Sequence, residues 1–132
     1  MPATRVKVNT TDVLVSLSDT GAAGSHRSLA RASNGRIWAC YRGTDTTRQV
    51  YAAYSDDGGL TWTEELVSPA ATQGFPGAQV IMVDSSDVPH VIWHLNTGVE
   101  TVRYSSRSGG TWAAFETVFT SGGTLAEMAA CI

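Results

Sequence analysis

The apolar residues of the chain fall into short runs separated by Gly, Asn, Asp and Ser, a pattern that predicts β-strands. The runs indicate four strands followed by a second set of four: 27–32, 36–42, 49–55 and 61–67, then 79–83, 88–94, 100–105 and 111–119. The second strand of each set is apolar on both faces, at 37–41 and 91–93, which is typical of a sheet covered on both sides. The sequence therefore predicts an all-β chain of stacked antiparallel sheets.

The two sets of strands belong to an internal repeat. Leu14-Val15-Ser16 aligns with Leu66-Val67-Ser68 and then with Val118-Phe119-Thr120, each time at an offset of 52 residues. Asn34-Gly35 aligns in the same way with Ser86-Asp87. These offsets divide the chain into repeat 1 (14–65), repeat 2 (66–117), the start of a third repeat (118–132) and residues 1–13, which we expect to form strands of a preceding or shared sheet. A repeat of about fifty residues with four short strands has the size of one propeller blade.

Each repeat carries one copy of a turn motif between its third and fourth strands. The first copy reads S-D-D-G-G-L-T-W over 55–62 and the second S-S-R-S-G-G-T-W over 105–112. Ser and Asp side chains bond the amides of a tight turn, glycines supply positive φ, and Trp provides an apolar anchor beyond the bend. We assign a structural role to the motif residues: Ser55, Asp57, Gly59, Thr61 and Trp62, and Ser105, Gly109, Thr111 and Trp112.

Arg107 occupies the position of the motif Asp in the second copy. We expect this turn to keep its glycine geometry and Trp112 but to lose the carboxylate bonds. On this basis Arg107→Asp is expected to be neutral or mildly stabilising.

The motif S-x-D-x-G-x-T-W resembles the Asp-box, or BNR repeat, of sialidase-like β-propellers. The resemblance implies a propeller unit of four-stranded antiparallel blades, with about 2.5 blades per chain. It also implies that the boxes are structural and that ligands bind on the opposite face. Because an open propeller exposes sheet edges and apolar faces, we expect closure by additional chain or by a head-to-tail homo-oligomer, with a dimer favoured. In that oligomer 124–132 of one copy would lie beside 5–17 of the next.

The loops on the face opposite the boxes supply the ligand-binding candidates, which are His26, Arg27, Arg42, Asp45 and His94, with Arg48 nearby. Arg27 is similar in position to the sialidase arginine that binds the substrate carboxylate, although the Ile and Pro that follow that arginine are missing here. Arg42 ends its strand on the same face, and a planar guanidinium binds a carboxylate bidentately. An alternative is that these arginines only solvate the loops or pair with Asp45.

Glycoside hydrolysis of the sialidase type requires an activated Tyr, an acid/base carboxylate and an arginine triad. The tyrosines all lie inside predicted strands, where packing explains them: Tyr41, Tyr51, Tyr54 and Tyr104. We therefore assign no catalytic residue. We expect a non-enzymatic binding or structural module that recognises glycan or protein. The alternatives are a sialidase-type glycoside hydrolase, as a fragment or with a site shared between chains, and an assembly component such as a virion structural protein.

The composition argues against several partners. The formal net charge is −3, and the nine Lys and Arg residues form no basic run, so neither nucleic acid nor an anionic membrane is expected to bind. No signal peptide or membrane-spanning run is visible, and the compartment stays open. His90 and His94 are about 13 Å apart on one strand, which is too far for both to bind one metal ion, so no metal site is expected. No cofactor is expected either.

Three further groups are assigned no chemistry. Cys40 and Cys131 are interpreted as packed thiols. The acidic pairs Asp56-Asp57 and Glu64-Glu65 are interpreted as solvated surface.

Overall fold

A computed structural model of the chain describes residues 28–42, 49–68, 75–96 and 98–123, with the backbone alone for 75–77. It confirms the all-β prediction, because these residues form two antiparallel sheets. The strands are β1 (Leu29–Arg31), β2 (Ile37–Arg42), β3 (Val50–Ser55), β4 (Thr63–Leu66), β5 (Phe75–Val83), β6 (Pro89–Asn96), β7 (Glu100–Ser108), β8 (Thr111–Trp112) and β9 (Glu116–Ser121).

The first sheet is a meander in the order β1-β2-β3-β4. The second places β5, β6 and β7 in sequence, and both β8 and β9 pair with β7. Within each sheet consecutive strands therefore pair with each other, except that β9 pairs with β7 and not with β8.

The turn between the first two strands has the same hydrogen bonds in both sheets. In the first sheet the Ala32 amide donates to Arg36 O and the Gly35 amide to Ala32 O. In the second, the Asp84 amide donates to Val88 O and the Asp87 amide to Asp84 O. Each pair of donors is 52 residues apart, and the backbone agrees, since φ is +94° at Gly35 and +61° at Asp87. This turn therefore recurs in the two sheets at the 52-residue offset.

The fourth strands depart from the predicted bounds. Thr61 and Trp62 lie in the turn and not in β4, because Asp57 holds the Thr61 amide inside the turn. The strand predicted over 111–119 is two strands, β8 and β9. The break follows from Ser105, whose buried hydroxyl donates to Ala113 O and takes that carbonyl out of the β7 ladder.

The core lies between the two sheets. Trp38, Cys40, Val50 and Ala52 of the first sheet pack with Ile81, Val91 and Trp93 of the second, and Trp38 and Trp93 are 1% and 0% exposed. These side chains alternate along their strands, so each sheet directs one face toward the other. We call these the joint faces and the region between them the joint. A smaller cluster lies on the other face of the first sheet, where Tyr41 and Ala53 contact Tyr51 and Trp62.

The described part of the chain contains no helix that is long and apolar enough to cross a membrane.

We expect Trp93→Ala to lower the free energy of unfolding by about 3–5 kcal/mol, because it removes a fully buried indole from the joint. Leu60→Ala is the matched control, since Leu60 is 57% exposed in a turn and its loss should change stability by less than about 0.5 kcal/mol. Urea denaturation of both variants measures the difference. Equal midpoints would mean that the joint does not hold the two sheets together.

Candidate functional site

The first motif turn is held by two side chains that bond its own backbone. The Ser55 hydroxyl accepts from the Gly59 amide at 2.7 Å and donates to Asp57 Oδ1 at 2.7 Å. Asp57 Oδ1 also accepts from the amides of Leu60 and Thr61, each at 2.9 Å, and its Oδ2 accepts the Thr61 hydroxyl at 2.6 Å. The motif thus forms the hydrogen bonds that its residue types predict.

Asp57 is an acceptor whose lone pairs are used inside the turn. The Thr61 hydroxyl and amide, the Ser55 hydroxyl and the Leu60 amide all bond the charged carboxylate, and they hold its pKa well below the usual aspartate value. Trp62 donates its indole N–H to Gly59 O at 3.1 Å and packs against Tyr41 and Ala53. The side chains of Ser55, Asp57 and Trp62 therefore hold this turn together.

The second motif turn is a two-residue hairpin that joins β7 to β8. Gly109 and Gly110 have φ of +61° and +88°, and Ser108 pairs with Thr111 across them. Two consecutive residues with positive φ give the turn that matches strand twist, and glycine adopts this conformation without strain at both positions. The expected glycine geometry is therefore present without a motif carboxylate.

Arg107 has a partner that the sequence did not indicate. Its Nε and Nη2 donate to Glu65 Oε2 and Oε1 at 2.7 and 2.8 Å, and the indole N–H of Trp112 donates to the same Oε2 at 2.9 Å. Glu65 lies on β4 of the other sheet, so the ion pair bridges the joint. The interpretation of Glu65 as solvated surface is wrong, and the basis for expecting Arg107→Asp to be harmless is removed.

A second polar bridge joins the sheets through Asp87. Its Oδ1 accepts from the Ser33 amide at 2.6 Å, and its Oδ2 accepts from the Ser33 hydroxyl at 2.9 Å and the Asn34 amide at 3.2 Å. These donors hold the pKa of Asp87 below its usual value. Since Gly35 is the repeat equivalent of Asp87, the first sheet has no matching carboxylate at that position.

Arg36 ties two turns of the first sheet together. Its guanidinium donates to both oxygens of Asp56 at 2.6 and 2.8 Å and lies 4.2 Å from the centroid of the Tyr54 ring. Asp56, interpreted from sequence as solvated surface, is therefore also an ion-pair partner. We call the end of the sheets that carries 33–36, 56–62, 84–88 and 108–111 the motif end.

A groove of about 600 Å³ opens beside the motif end, between β4 and residues 110–114. Glu65 and Trp112 contribute to its lining together with Leu66 and Thr111. Because the Glu65 carboxylate already accepts from Arg107 and Trp112, the groove presents no uncommitted acid.

The opposite end of the sheets contains two of the sequence-predicted ligand candidates. Arg42 ends β2, and His94 lies near the end of β6. His26, Arg27 and Asp45, together with Arg48, lie outside the described residues.

His94 belongs to a polar cluster that sequence reasoning missed. Its Nε2 contacts Glu100 Oε2, and the side-chain Nδ2 of Asn96 donates to Glu100 Oε1 at 2.7 Å. Glu100 is only 7% exposed, which is low for a carboxylate. The pairing Asn96↔Glu100 produces this cluster at the end of the hairpin. The signal available in the sequence was the H-x-N-x₃-E spacing across a predicted hairpin.

Arg42 and His94 lie on different faces. Arg42 is an even number of residues from Trp38 and Cys40 along β2, so it shares their joint face. His94 directly follows Trp93, which lies on the joint face of β6, so His94 lies on the other face. Successive side chains of a strand point to opposite faces, so the structure does not bring these two candidates into one constellation.

The described tyrosines lie in packing or structural contacts. Tyr41 donates to Glu64 and stacks on Tyr51, with ring centroids 6.0 Å apart. Tyr54 lies against Trp38. Tyr104 bonds His90 Nδ1 at 2.7 Å, and His90 Nε2 lies 3.3 Å from Asp84.

Neither a metal site nor an accessible thiol is found in the described residues. No group of three or more His, Cys, Asp and Glu side chains in residues 28–42, 49–68, 75–96 and 98–123 is arranged to hold a metal. Cys40 is a buried free thiol, as interpreted from the sequence, and burial raises its pKa to about 12. Cys131 lies outside the described part.

We expect Arg107→Asp to destabilise the protein by about 2 kcal/mol or more, because it replaces a bidentate partner of Glu65 with a like charge. Thermal unfolding at neutral pH measures the loss. The charge-swapped double variant Arg107→Asp with Glu65→Arg is the control and should regain part of it. A fully stable Arg107→Asp variant would contradict the bridge.

Asp57→Asn should weaken the fold at neutral pH, and the difference from the unmodified protein should shrink in acid. The carboxylate pKa is lowered on folding, so its stabilisation is fully present above the unfolded value near 3.8 and is lost as pH falls below it toward the folded value. Urea melts at a series of pH values between 7 and 2.5 follow this change. Glu116→Gln, at an exposed strand position, is the control. A constant difference across the series would contradict the assignment.

Comparisons of this chain with protein-family models, with curated proteins and with solved structures found no match. Any inference about function therefore rests on the repeat, the motif turns and the geometry of the two ends.

Proposed function

We propose that the chain is a non-enzymatic binding module of the sialidase-like β-propeller type, in which each sheet is one blade. Its ligand, a glycan or a protein segment, binds at the end opposite the motif turns. The motif turns then correspond to Asp-boxes with a structural role.

The observation that carries this proposal is the placement of a polar cluster, His94 with Glu100, at the end opposite the motif turns. At the motif end the carboxylates are engaged in bonds that hold turns or join sheets: Asp56 with Arg36, Asp57 within its turn, and Asp87 with Ser33. At the opposite end β2 finishes in Arg42, and the hairpin at 96–100 carries the His94–Glu100 cluster. Polar side chains on loop ends of a rigid scaffold are the usual place for recognition.

The packing of the sheets supports the blade assignment. Two meanders of the same repeat stack face to face, and their equivalent turns lie at the same end. A blade in a propeller packs against a neighbour on each face, so a unit with two whole blades needs further sheets. We propose that copies associate head to tail and that a dimer closes the ring.

A binding role suits the described residues better than glycoside hydrolysis does. A retaining mechanism needs a nucleophile and a second carboxyl group placed about 5 Å apart around the scissile bond. The tyrosine contacts described above serve packing, and the Glu100 carboxylate is bonded by His94 and Asn96. We propose no catalytic residue.

The proposed binding end is tested by ¹H–¹⁵N NMR titration with sialyllactose and with its neutral counterpart lactose. We expect saturable shifts for amides near His94 and Gly98 and none at Gly58 or Gly59 in the motif end. A His94→Ala variant should weaken the shifts, and a Ser108→Ala variant in the second motif turn should not. Shifts confined to the motif end would overturn the proposal.

We expect no turnover of aryl sialosides or other aryl glycosides by the purified protein, because no acid–nucleophile pair is assembled among the described residues. A fluorogenic assay against buffer measures this. Turnover that disappears in an Arg42→Ala variant would favour the hydrolase.

The mass of the assembly in solution tests closure. A head-to-tail dimer has twice the 14.0 kDa chain mass. Sedimentation velocity at several concentrations should find that species. A well-folded monomer with no dimer at any concentration would contradict closure by copies, and the NMR test of the binding end would still stand.

A further inference from the structure

The joint contains buried hydrogen-bond donors without acceptors. Arg103 Nε and Nη1, Gln79 Nε2 and Trp38 Nε1 are buried, and each lacks a partner among the described residues. All four atoms are donors, and the described part of the joint contains no buried side-chain acceptor in the same condition. Buried polar groups are almost always bonded, so such a set points to an acceptor that the described residues do not supply.

Two of these residues lie in one row of the second sheet. Gln79 pairs with Trp93, and Trp93 pairs with Arg103. Directly paired residues point to the same side of a sheet, so all three share the joint face on which Trp93 is fully buried. The row runs across β5, β6 and β7.

The guanidinium of Arg103 is positioned by an aromatic ring. Its Cζ lies 4.1 Å from the centroid of Phe115, whose ring in turn meets Trp93 edge-on with centroids 6.1 Å apart. A ring contacts the face of a guanidinium and leaves the in-plane N–H groups available for an oxyanion. Burial also lowers the pKa of Arg103, consistent with a cation that has no acid beside it.

Arg107 provides a comparison on the same strand and the same face, four residues further along β7. Its guanidinium has a carboxylate, since both oxygens of Glu65 accept from it. The two arginines differ in that Arg103 has no such partner in the described residues. A partly buried cation without a counter-charge is costly, and an anion would remove that cost.

Seven of the described carboxylates are bonded to other groups: Asp56, Asp57, Glu64, Glu65, Asp84, Asp87 and Glu100. Glu116 pairs with Tyr104, the neighbour of Arg103, and so shares the other face of the sheet.

We propose that Arg103, assisted by Gln79, forms an oxyanion-binding site in the joint between the two sheets. The ligand is a carboxylate, sulfate or phosphate group, and it accepts hydrogen bonds from the guanidinium edge. The site is separate from the His94–Glu100 cluster, because Arg103 lies on the same face of the sheet as Trp93 and His94 lies on the opposite face. It is also independent of the proposed propeller function.

The test uses the unmodified protein and the Nε–H resonances of its arginines. Sodium acetate, sulfate and phosphate are added separately at constant ionic strength, with sodium chloride as the reference. We expect a saturable shift of the Arg103 resonance and little change at Arg107, which is already paired. The ranking of acetate against sulfate and phosphate separates a planar carboxylate site from one for tetrahedral anions. No saturable shift, or equal shifts at both arginines, would overturn the proposal and leave water as the acceptor.

Two variants test the site by a second route. Arg103→Met keeps an apolar stem against Phe115 and removes the donors, and Arg107→Met is its matched control. We expect the favoured anion to raise the melting temperature of the unmodified protein and of Arg107→Met, and to bind Arg103→Met about tenfold more weakly. An unchanged anion response in Arg103→Met would contradict the site. If Arg103→Met does not fold, the resonance titration of the unmodified protein decides alone.

Discussion

The contact between the two joint faces is the constraint on which the rest of the structure depends. A four-stranded meander with apolar side chains on both faces cannot bury them alone, so each sheet needs a neighbour. Trp38 and Trp93 meet this need from opposite sides of the joint, with Cys40, Ala52, Ile81 and Val91 between them. β2 is buried on both faces, whereas β6 alternates between buried residues on the joint face and partly exposed residues on the other.

Polar contacts then determine how the two sheets are aligned. Apolar packing is not directional, whereas the Arg107–Glu65 pair and the Asp87 bonds to Ser33 and Asn34 each require one relative placement. Both bridges lie at the motif end. The residues at the equivalent positions of the first repeat are different: Gly35 is equivalent to Asp87, and Asp57 is equivalent to Arg107. The joint inside the chain is therefore chemically distinct from any joint that the outer faces would make.

The motif turn illustrates two ways to build one bend. In the first copy Asp57 binds the amides of Leu60 and Thr61, and the carboxylate holds the loop. In the second copy two glycines close a short hairpin, and the residue at the Asp position becomes available for a contact with the other sheet. Loss of the motif carboxylate thus coincides with the gain of an inter-sheet ion pair.

The sequence by itself determined the features that depend on neighbours in the chain. The turns at Gly35 and Gly109 and the bonds of Ser55 and Asp57 follow from residues within about five positions of each other. The order of the strands and the 52-residue offset follow from the repetition of such local patterns along the chain. The tertiary structure decided the partners of Arg107 and Asp87, which lie 42 and 54 residues away. It also decided the division of the last predicted strand into β8 and β9, where Ser105 of β7 bonds Ala113 O. The placement of Arg42 and His94 on different faces and the buried donors of Arg103 were decided in the same way. These depend on which faces meet across the joint, and strand periodicity shows that a residue is buried without showing what it is buried against.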